Sequence, residues 1–138
     1  MKTVQELCKQ IKGIYTIDGN SNTTITGISS DSRDIQPGYL FVCIAGVHVD
    51  GAKFAAQAVE KGAAAVLTTK HLDLPSGAVQ ILVPEIHHAL EDMVPYFYDY
   101  PGKKMRMIGV TGTNGKTTTT HIIAHILRAA GYHVGVIG

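Results

Sequence analysis

The residues most able to do chemistry lie in one short stretch, Val110-Thr111-Gly112-Thr113-Asn114-Gly115-Lys116-Thr117-Thr118. Gly112 and Gly115 can adopt positive φ, which lets the main chain close around an anion. Amides at 113–118 then point inward, and the N-terminus of the following helix adds partial positive charge. Lys116 supplies a full charge for the β- and γ-phosphates of a nucleotide, and the Thr117 hydroxyl is suited to bind Mg²⁺. The pattern predicts a phosphate-binding loop.

The spacing of this loop departs from the standard motif. Glycine, four residues and Gly-Lys-Thr would require glycine where Val110 stands, and the chain instead has glycines at 109, 112 and 115. Four successive threonines at 117–120 open the helix, although β-branched residues are poor helix formers. Such a local inconsistency is typical of functional sites. The alternative interpretation is a threonine-capped glycine turn in which Lys116 is merely solvated.

Alternating strands and helices are expected to position the loop. A strand over 105–110, a helix over about 117–130 and a strand over 133–137 would make one βαβ unit. Further upstream, apolar runs predict strands and amphipathic runs predict helices. The predicted strands are 14–17, 24–28, 39–44, 63–67 and 79–83, and the predicted helices are 4–11, 53–61 and one from Ile86 towards Tyr100. Pro95 predicts a kink or an early stop in the last helix.

The composition of Pro101-Gly102-Lys103-Lys104 is that of a linker, so we expect domains at 1–104 and 105–138. A single βαβ unit cannot cover both faces of its own sheet. We therefore expect an α/β chain that holds an N-terminal module and the opening of a parallel-sheet nucleotide-binding domain, in a natural protein that continues past Gly138.

The composition excludes several other classes of protein. The 138 residues carry a formal net charge of +1, so no electrostatic excess favours nucleic acid or an anionic membrane. The longest apolar run, 39–47, is far shorter than the ~20 residues that cross a bilayer. Residues 1–12 lack the uninterrupted apolar core of a secretory signal. We expect a cytoplasmic protein with no nucleic-acid or membrane partner.

The stretch Thr111–Thr117 resembles the phosphate loop of the Mur ligases, ATP-dependent enzymes that add amino acids to the peptidoglycan precursor. The resemblance covers nearly the whole chain. Further segments follow in the order expected of the family's N-terminal domain: Asp31-Ser32-Arg33, Pro37 to Val42, Gly46 to Gly51, and Ala58 with Gly62-Ala63. Thr113 is similar to the members that add the third residue, since those that add the terminal dipeptide usually have serine there.

The resemblance implies a reaction. ATP with Mg²⁺ would phosphorylate the D-glutamate carboxylate of UDP-N-acetylmuramoyl-L-alanyl-D-glutamate. The amine of a diamino acid, meso-diaminopimelate or lysine, would then attack the acyl phosphate. It also implies a small N-terminal domain that binds the UDP substrate, followed by the strand, phosphate loop, helix and strand that open an ATP-binding domain. We expect a monomer, and we expect the 138 residues alone to be catalytically inactive.

The resemblance also assigns roles to residues. The ATP-binding set is Gly112, Thr113, Asn114, Gly115, Lys116, Thr117 and Thr118, with Lys116 catalytic on the phosphates and Thr117 on the metal. The set that holds the UDP end of the substrate is Ser30, Ser32, Val47, His48 and Val49. For this second set the residues leave another interpretation open, in which Asp31 and Ser32 form a local turn and Arg33 pairs with Asp34 or Asp31.

Two other functions stay open from the sequence. One is a different phosphate-loop NTPase, such as a small-molecule kinase with an N-terminal extension, which would bind ATP without responding to UDP-N-acetylmuramoyl peptides. The other is a non-catalytic UDP-sugar-binding module, in which replacing Lys116 by alanine would change nothing.

Overall fold

The computed structural model describes residues 1–44, 54–75 and 77–138. The chain divides into two compact units, Met1–Pro101 and Gly102–Gly138. The described elements of the first unit are β1 (Lys2–Thr3), α1 (Val4–Cys8), β2 (Thr16–Asp18), β3 (Thr24–Ile25), β4 (Gly27–Ser29), β5 (Tyr39–Val42), α2 (Ala55–Glu60), β6 (Ala65–Thr68), β7 (Val79–Leu82) and α3 (Ile86–Phe97).

The main sheet of the first unit has five strands in the order β2-β7-β6-β5-β4. Four of them run parallel, with Leu40 opposite Ala65 and Ala65 opposite Val79. The edge strand β2 pairs antiparallel with β7, where Thr16 faces Leu82. This arrangement confirms the predicted α/β class with a mostly parallel sheet.

Burial explains why β5 is apolar at nearly every position. The strand lies between β6 and β4, and Leu40, Phe41 and Val42 are at most 2% exposed. A strand covered on both faces needs apolar side chains on both. Cys8 of α1 belongs to the same buried core, as expected, and burial raises the pKa of its thiol to about 11.

The predicted strand 24–28 is divided into two strands that pair with different partners. Thr26 causes the break, since its amide donates to the oxygen of Gly38 and its hydroxyl to the oxygen of Pro37. Residues before Thr26 form β3 and pair with β1, and residues after it form β4 and pair with β5. The sequence pattern did not show β1, which is only two residues long.

Pro95 lies inside α3, which ends at Phe97. A proline removes one helical hydrogen bond, and in the last turn little helix remains for it to disturb. The chain then turns through Asp99 and Tyr100, both with positive φ, and the Tyr100 amide donates to the oxygen of Pro95 at 2.7 Å. Pro95 therefore lies in the last turn of the helix and does not end it earlier.

A 3-10 helix (Pro101–Lys104) begins at the last residue of the first unit, and α4 (Lys116–Ala129) lies in the second unit. The helix prediction for about 117–130 is confirmed. The strand predictions for 105–110 and 133–137 are corrected, because neither segment joins a hydrogen-bonded ladder in this fully described unit. Apolar composition alone does not make a strand, which also needs a neighbour for its backbone groups. Most side chains in both segments are exposed, including those of Met107 and Ile137.

Among the described helices, none combines the length and the apolar character needed to span a membrane.

Candidate functional site

The predicted phosphate-binding loop leads directly into the N-terminus of α4. Gly115 occupies the N-cap position of the helix with φ 77°, and Gly112 has φ 152°. A Cβ atom at Gly115 would meet nothing within 4 Å. The left-handed backbone conformation, rather than a lack of space, therefore makes glycine the suitable residue at 115.

Lys116, the first residue of α4, reaches back over the loop. Its Nζ donates a hydrogen bond to the main-chain oxygen of Gly112 at 2.6 Å, and the side chain is exposed. The amide of Thr119 makes a helical bond to the oxygen of Gly115, so the amides at 116–118 precede the helical ladder. Ammonium and helix N-terminus thus lie together on the surface, where an anion can reach them.

The run of threonines is accommodated by a local hydrogen bond. The Thr120 hydroxyl donates to the main-chain oxygens of Lys116 at 3.0 Å and Thr117 at 2.8 Å. Such back-bonding satisfies a hydroxyl within the first turn. Thr117 and Thr118 are exposed and border a shallow hollow with His121 and His125.

The residues of this loop fit a nucleotide triphosphate bound with Mg²⁺. The seven predicted positions are contiguous, exposed and gathered at one helix N-terminus: Gly112, Thr113, Asn114, Gly115, Lys116, Thr117 and Thr118. They combine two flexible glycines, one full positive charge and exposed hydroxyl groups. Main-chain amides and an ammonium attract phosphate oxygens, and a threonine hydroxyl is a common magnesium ligand in such loops.

Ser30 and Ser32 of the second predicted set lie in the first unit, just after the carboxyl end of β4. Ligands of parallel α/β sheets bind at this edge, outside the carboxyl ends of the strands. Ser30 is exposed, whereas Ser32 is only 8% exposed and its hydroxyl donates to Oε1 of Gln57 at 3.1 Å. Val47, His48 and Val49 lie outside the described residues.

Arg33 pairs with Asp31, as in the local-turn interpretation that the sequence left open. The Arg33 amide and Nε both donate to Oδ1 of Asp31 at 2.9 Å, and a terminal guanidinium nitrogen donates to Oδ2 at 2.6 Å. The hydrogen bonds from the Arg33 side chain are the main reason that the pKa of Asp31 falls to about 2. The pair is therefore ionised at neutral pH.

An open hollow lies beside this turn, bordered by Ser29, Arg33, Asp34, Gln36 and Tyr39 among others. Tyr39 belongs to β5, next to β4 in the sheet. Gln57, Lys61 and Tyr39 are neighbours of this region that the sequence pattern did not predict. Gln57 and Lys61 are 25 and 29 residues from Ser32, and no local spacing pattern indicates such contacts.

Two family models match the chain. The model described as "Mur ligase family, catalytic domain" matches residues 24–99, and the "Mur ligase middle domain" matches residues 110–138. The chain belongs to the Mur ligase family. This result favours the ligase prediction over an unrelated NTPase and over a free-standing binding module.

Relatives of this Mur ligase chain carry related names. The UDP-N-acetylmuramoyl-L-alanyl-D-glutamate–2,6-diaminopimelate ligase of Syntrophomonas wolfei is 44% identical over 138 residues, which are 100% of this chain and 28% of that protein. A solved structure with the same ligase name has a TM-score of 0.71 at 27% identity, over 99% of this chain and 27% of that one.

Another solved structure is the MurF ligase of Thermotoga maritima in complex with ADP. Its TM-score is 0.60 at 25% identity, and the match covers 78% of this chain and 24% of that one. The chain therefore spans about a quarter of the length of the proteins it matches.

Proposed function

We propose that this chain supplies the UDP-substrate-binding and phosphate-binding parts of an ATP-dependent ligase. The ligase would join 2,6-diaminopimelate to UDP-N-acetylmuramoyl-L-alanyl-D-glutamate in peptidoglycan precursor synthesis. The observation that carries the proposal is the exposed Lys116 at the N-terminus of α4, behind a loop closed by Gly112 and Gly115. The names of relatives that are more than 40% identical support the choice of substrates.

The proposed division of labour follows the two domains predicted from the sequence. Residues 1–104 would bind the UDP end of the substrate through Ser30 and Ser32, together with Val47, His48 and Val49. Residues 105–138 would contribute the ATP-binding loop, with Thr117 as a ligand of Mg²⁺. ATP would supply the phosphoryl group that makes the D-glutamate carboxylate an acyl donor.

The residues of the loop would act by position and charge. Lys116 would neutralise charge on the phosphates, and the amides at the N-terminus of α4 would orient them. Diaminopimelate is proposed over lysine as the added residue because the similar ligases are named for it.

The proposal is tested by two calorimetric titrations of the purified chain, one with MgATP and one with UDP-N-acetylmuramoyl-L-alanyl-D-glutamate. We expect saturable binding of both ligands, and we expect Lys116→Ala to weaken only the binding of MgATP. Binding of MgATP without a response to the UDP substrate would contradict the ligase assignment in favour of another NTPase. Binding of the UDP substrate alone would contradict the ATP-binding role proposed for residues 105–138.

A further inference from the structure

We infer that Gln57 and Lys61 are positioning residues for UDP-substrate binding, and that they act through Ser32. The inference rests on the proposed function, in which Ser32 belongs to the UDP-binding set. Neither residue is part of that set. Gln57 lies on α2 and Lys61 is its C-cap residue. Both are hydrogen-bonded to Ser32, the buried serine of the turn after β4.

The geometry consists of two hydrogen bonds to opposite ends of one residue. The Ser32 hydroxyl donates to Oε1 of Gln57 at 3.1 Å, and Nζ of Lys61 donates to the main-chain oxygen of Ser32 at 2.9 Å. Gln57 and Lys61 are four residues apart, so they share one face of the helix. Side chain and backbone of Ser32 are therefore both held from the same helix.

The helix that carries these residues is itself firmly placed. Ala55 and Ala58 of α2 are completely buried in the core of the first unit. At the end of the helix, the amide of Gly38 donates to the oxygen of Gly62 at 2.9 Å. A helix that is anchored in the core can hold a loop in place, because the backbone that carries its side chains does not move.

The turn has few other long-range restraints among the described contacts. Its internal bonds join near neighbours, such as the Asp31 amide to the Ser29 hydroxyl and the Arg33 guanidinium to the Asp31 carboxylate. Local bonds shape a turn but do not fix its place on the sheet. The pairing of Ser29 with Phe41 and the buried Ile35 fix the two ends of the turn. Between these ends, Gln57 and Lys61 connect the turn to α2, and Lys61 also contributes to the low pKa of Asp31.

The expected effect is a moderate loss of affinity. Gln57→Met and Lys61→Met each remove one hydrogen bond while keeping the length of an exposed side chain. Without that bond Ser32 is less ordered in the free protein, and ordering it when the ligand binds reduces the affinity. The loss of one such bond corresponds to roughly a three- to tenfold weaker affinity for the UDP substrate. Lys61→Arg retains a donor and is expected to restore most of the affinity.

The decisive experiment is a double-mutant cycle on the full chain. Calorimetry measures the affinity of UDP-N-acetylmuramoyl-L-alanyl-D-glutamate for the wild type, Gln57→Met, Ser32→Ala and the double variant. If Gln57 acts through the Ser32 hydroxyl, Gln57→Met weakens binding in the wild type and has no further effect after Ser32→Ala. Gln5→Met on α1 and Lys9→Met at its C-cap are matched controls that should bind as the wild type does.

The outcomes separate this inference from the proposed function. Wild-type affinity in both α2 variants would overturn the inference while the proposed function stands. Additive losses from Ser32→Ala and Gln57→Met would also overturn it, since Gln57 would then act independently of Ser32. Failure of the wild type to bind the UDP substrate would contradict both the inference and the proposed function. Thermal melting of each variant checks that it is folded. If Gln57→Met has a lowered melting temperature, the affinities of Lys61→Met and Lys61→Arg for the UDP substrate are compared instead.

Discussion

The Lys116 ammonium donates a hydrogen bond to the main-chain oxygen of Gly112, 2.6 Å away and four residues earlier in the chain. This contact closes the phosphate loop with a positive charge at its open side. A carbonyl oxygen is a weaker partner for an ammonium than a phosphate oxygen, because hydrogen bonds between two charged groups are the stronger ones. Nucleotide binding is therefore expected to exchange this partner for a phosphate.

Replacing Lys116 by methionine should weaken MgATP binding by at least tenfold. A hydrogen bond to a charged group contributes about 1.5–3 kcal/mol, and the variant removes both the charge and the donor. Calorimetric titration with MgATP measures the change. Lys104→Met, outside the loop, is the matched control and should bind as the wild type does. Equal affinity in the Lys116→Met variant would show that the loop does not bind the triphosphate through this side chain.

Gly115→Ala should reduce MgATP affinity more than Gly115→Asn. The left-handed conformation costs an alanine roughly 1–2 kcal/mol, whereas asparagine adopts it more readily. The same substitution at Gly131, which follows α4 with φ 87° and has open space around it, imposes comparable backbone strain. Gly131→Ala should lower the melting temperature without changing MgATP affinity. If Gly115→Ala and Gly131→Ala bind MgATP with the same affinity, the left-handed conformation at residue 115 is not required for binding.

Arg33→Leu should raise the pKa of Asp31 from about 2 towards the ordinary value of ~3.9. The folded-state pKa is lowered, so the ion pair stabilises the turn above the unfolded pKa. That contribution is lost as the pH falls from about 4 to about 2. Carbon-13 NMR titration of the Asp31 carboxyl carbon reports both values. An unchanged titration in the Arg33→Leu variant would contradict the pairing.

Gly27→Ala should destabilise the first unit by about 1–3 kcal/mol. Gly27 lies directly opposite Tyr39 in the parallel pair of β4 and β5, and a methyl group there would overlap the tyrosine ring. Urea denaturation measures the loss of unfolding free energy. Gly13→Ala, where a methyl group meets nothing within 4 Å, should change stability by less than about 0.5 kcal/mol. A combined Gly27→Ala and Tyr39→Ala variant should recover part of the loss.

The sequence was most informative where the structure depends on neighbouring residues. The phosphate loop and α4 depend on neighbouring residues, and the helix begins at Lys116, within one residue of its predicted start. The buried strands β5, β6 and β7 were equally readable, since a run of apolar residues is what a strand covered on both faces requires. The same criterion was wrong for 105–110 and 133–137, because hydrophobicity does not show whether a neighbouring strand is present.

Local sequence pattern thus determined the α/β class and the loop with its lysine and glycines, and the resemblance of Thr111–Thr117 indicated the Mur ligase family. Only the tertiary structure decided that β2 joins the sheet antiparallel beside β7, and that α2 holds Ser32. The physical reason is distance along the chain. A motif of nine residues carries its own geometry, whereas a hydrogen bond between residues 25 positions apart depends on the path of everything between them.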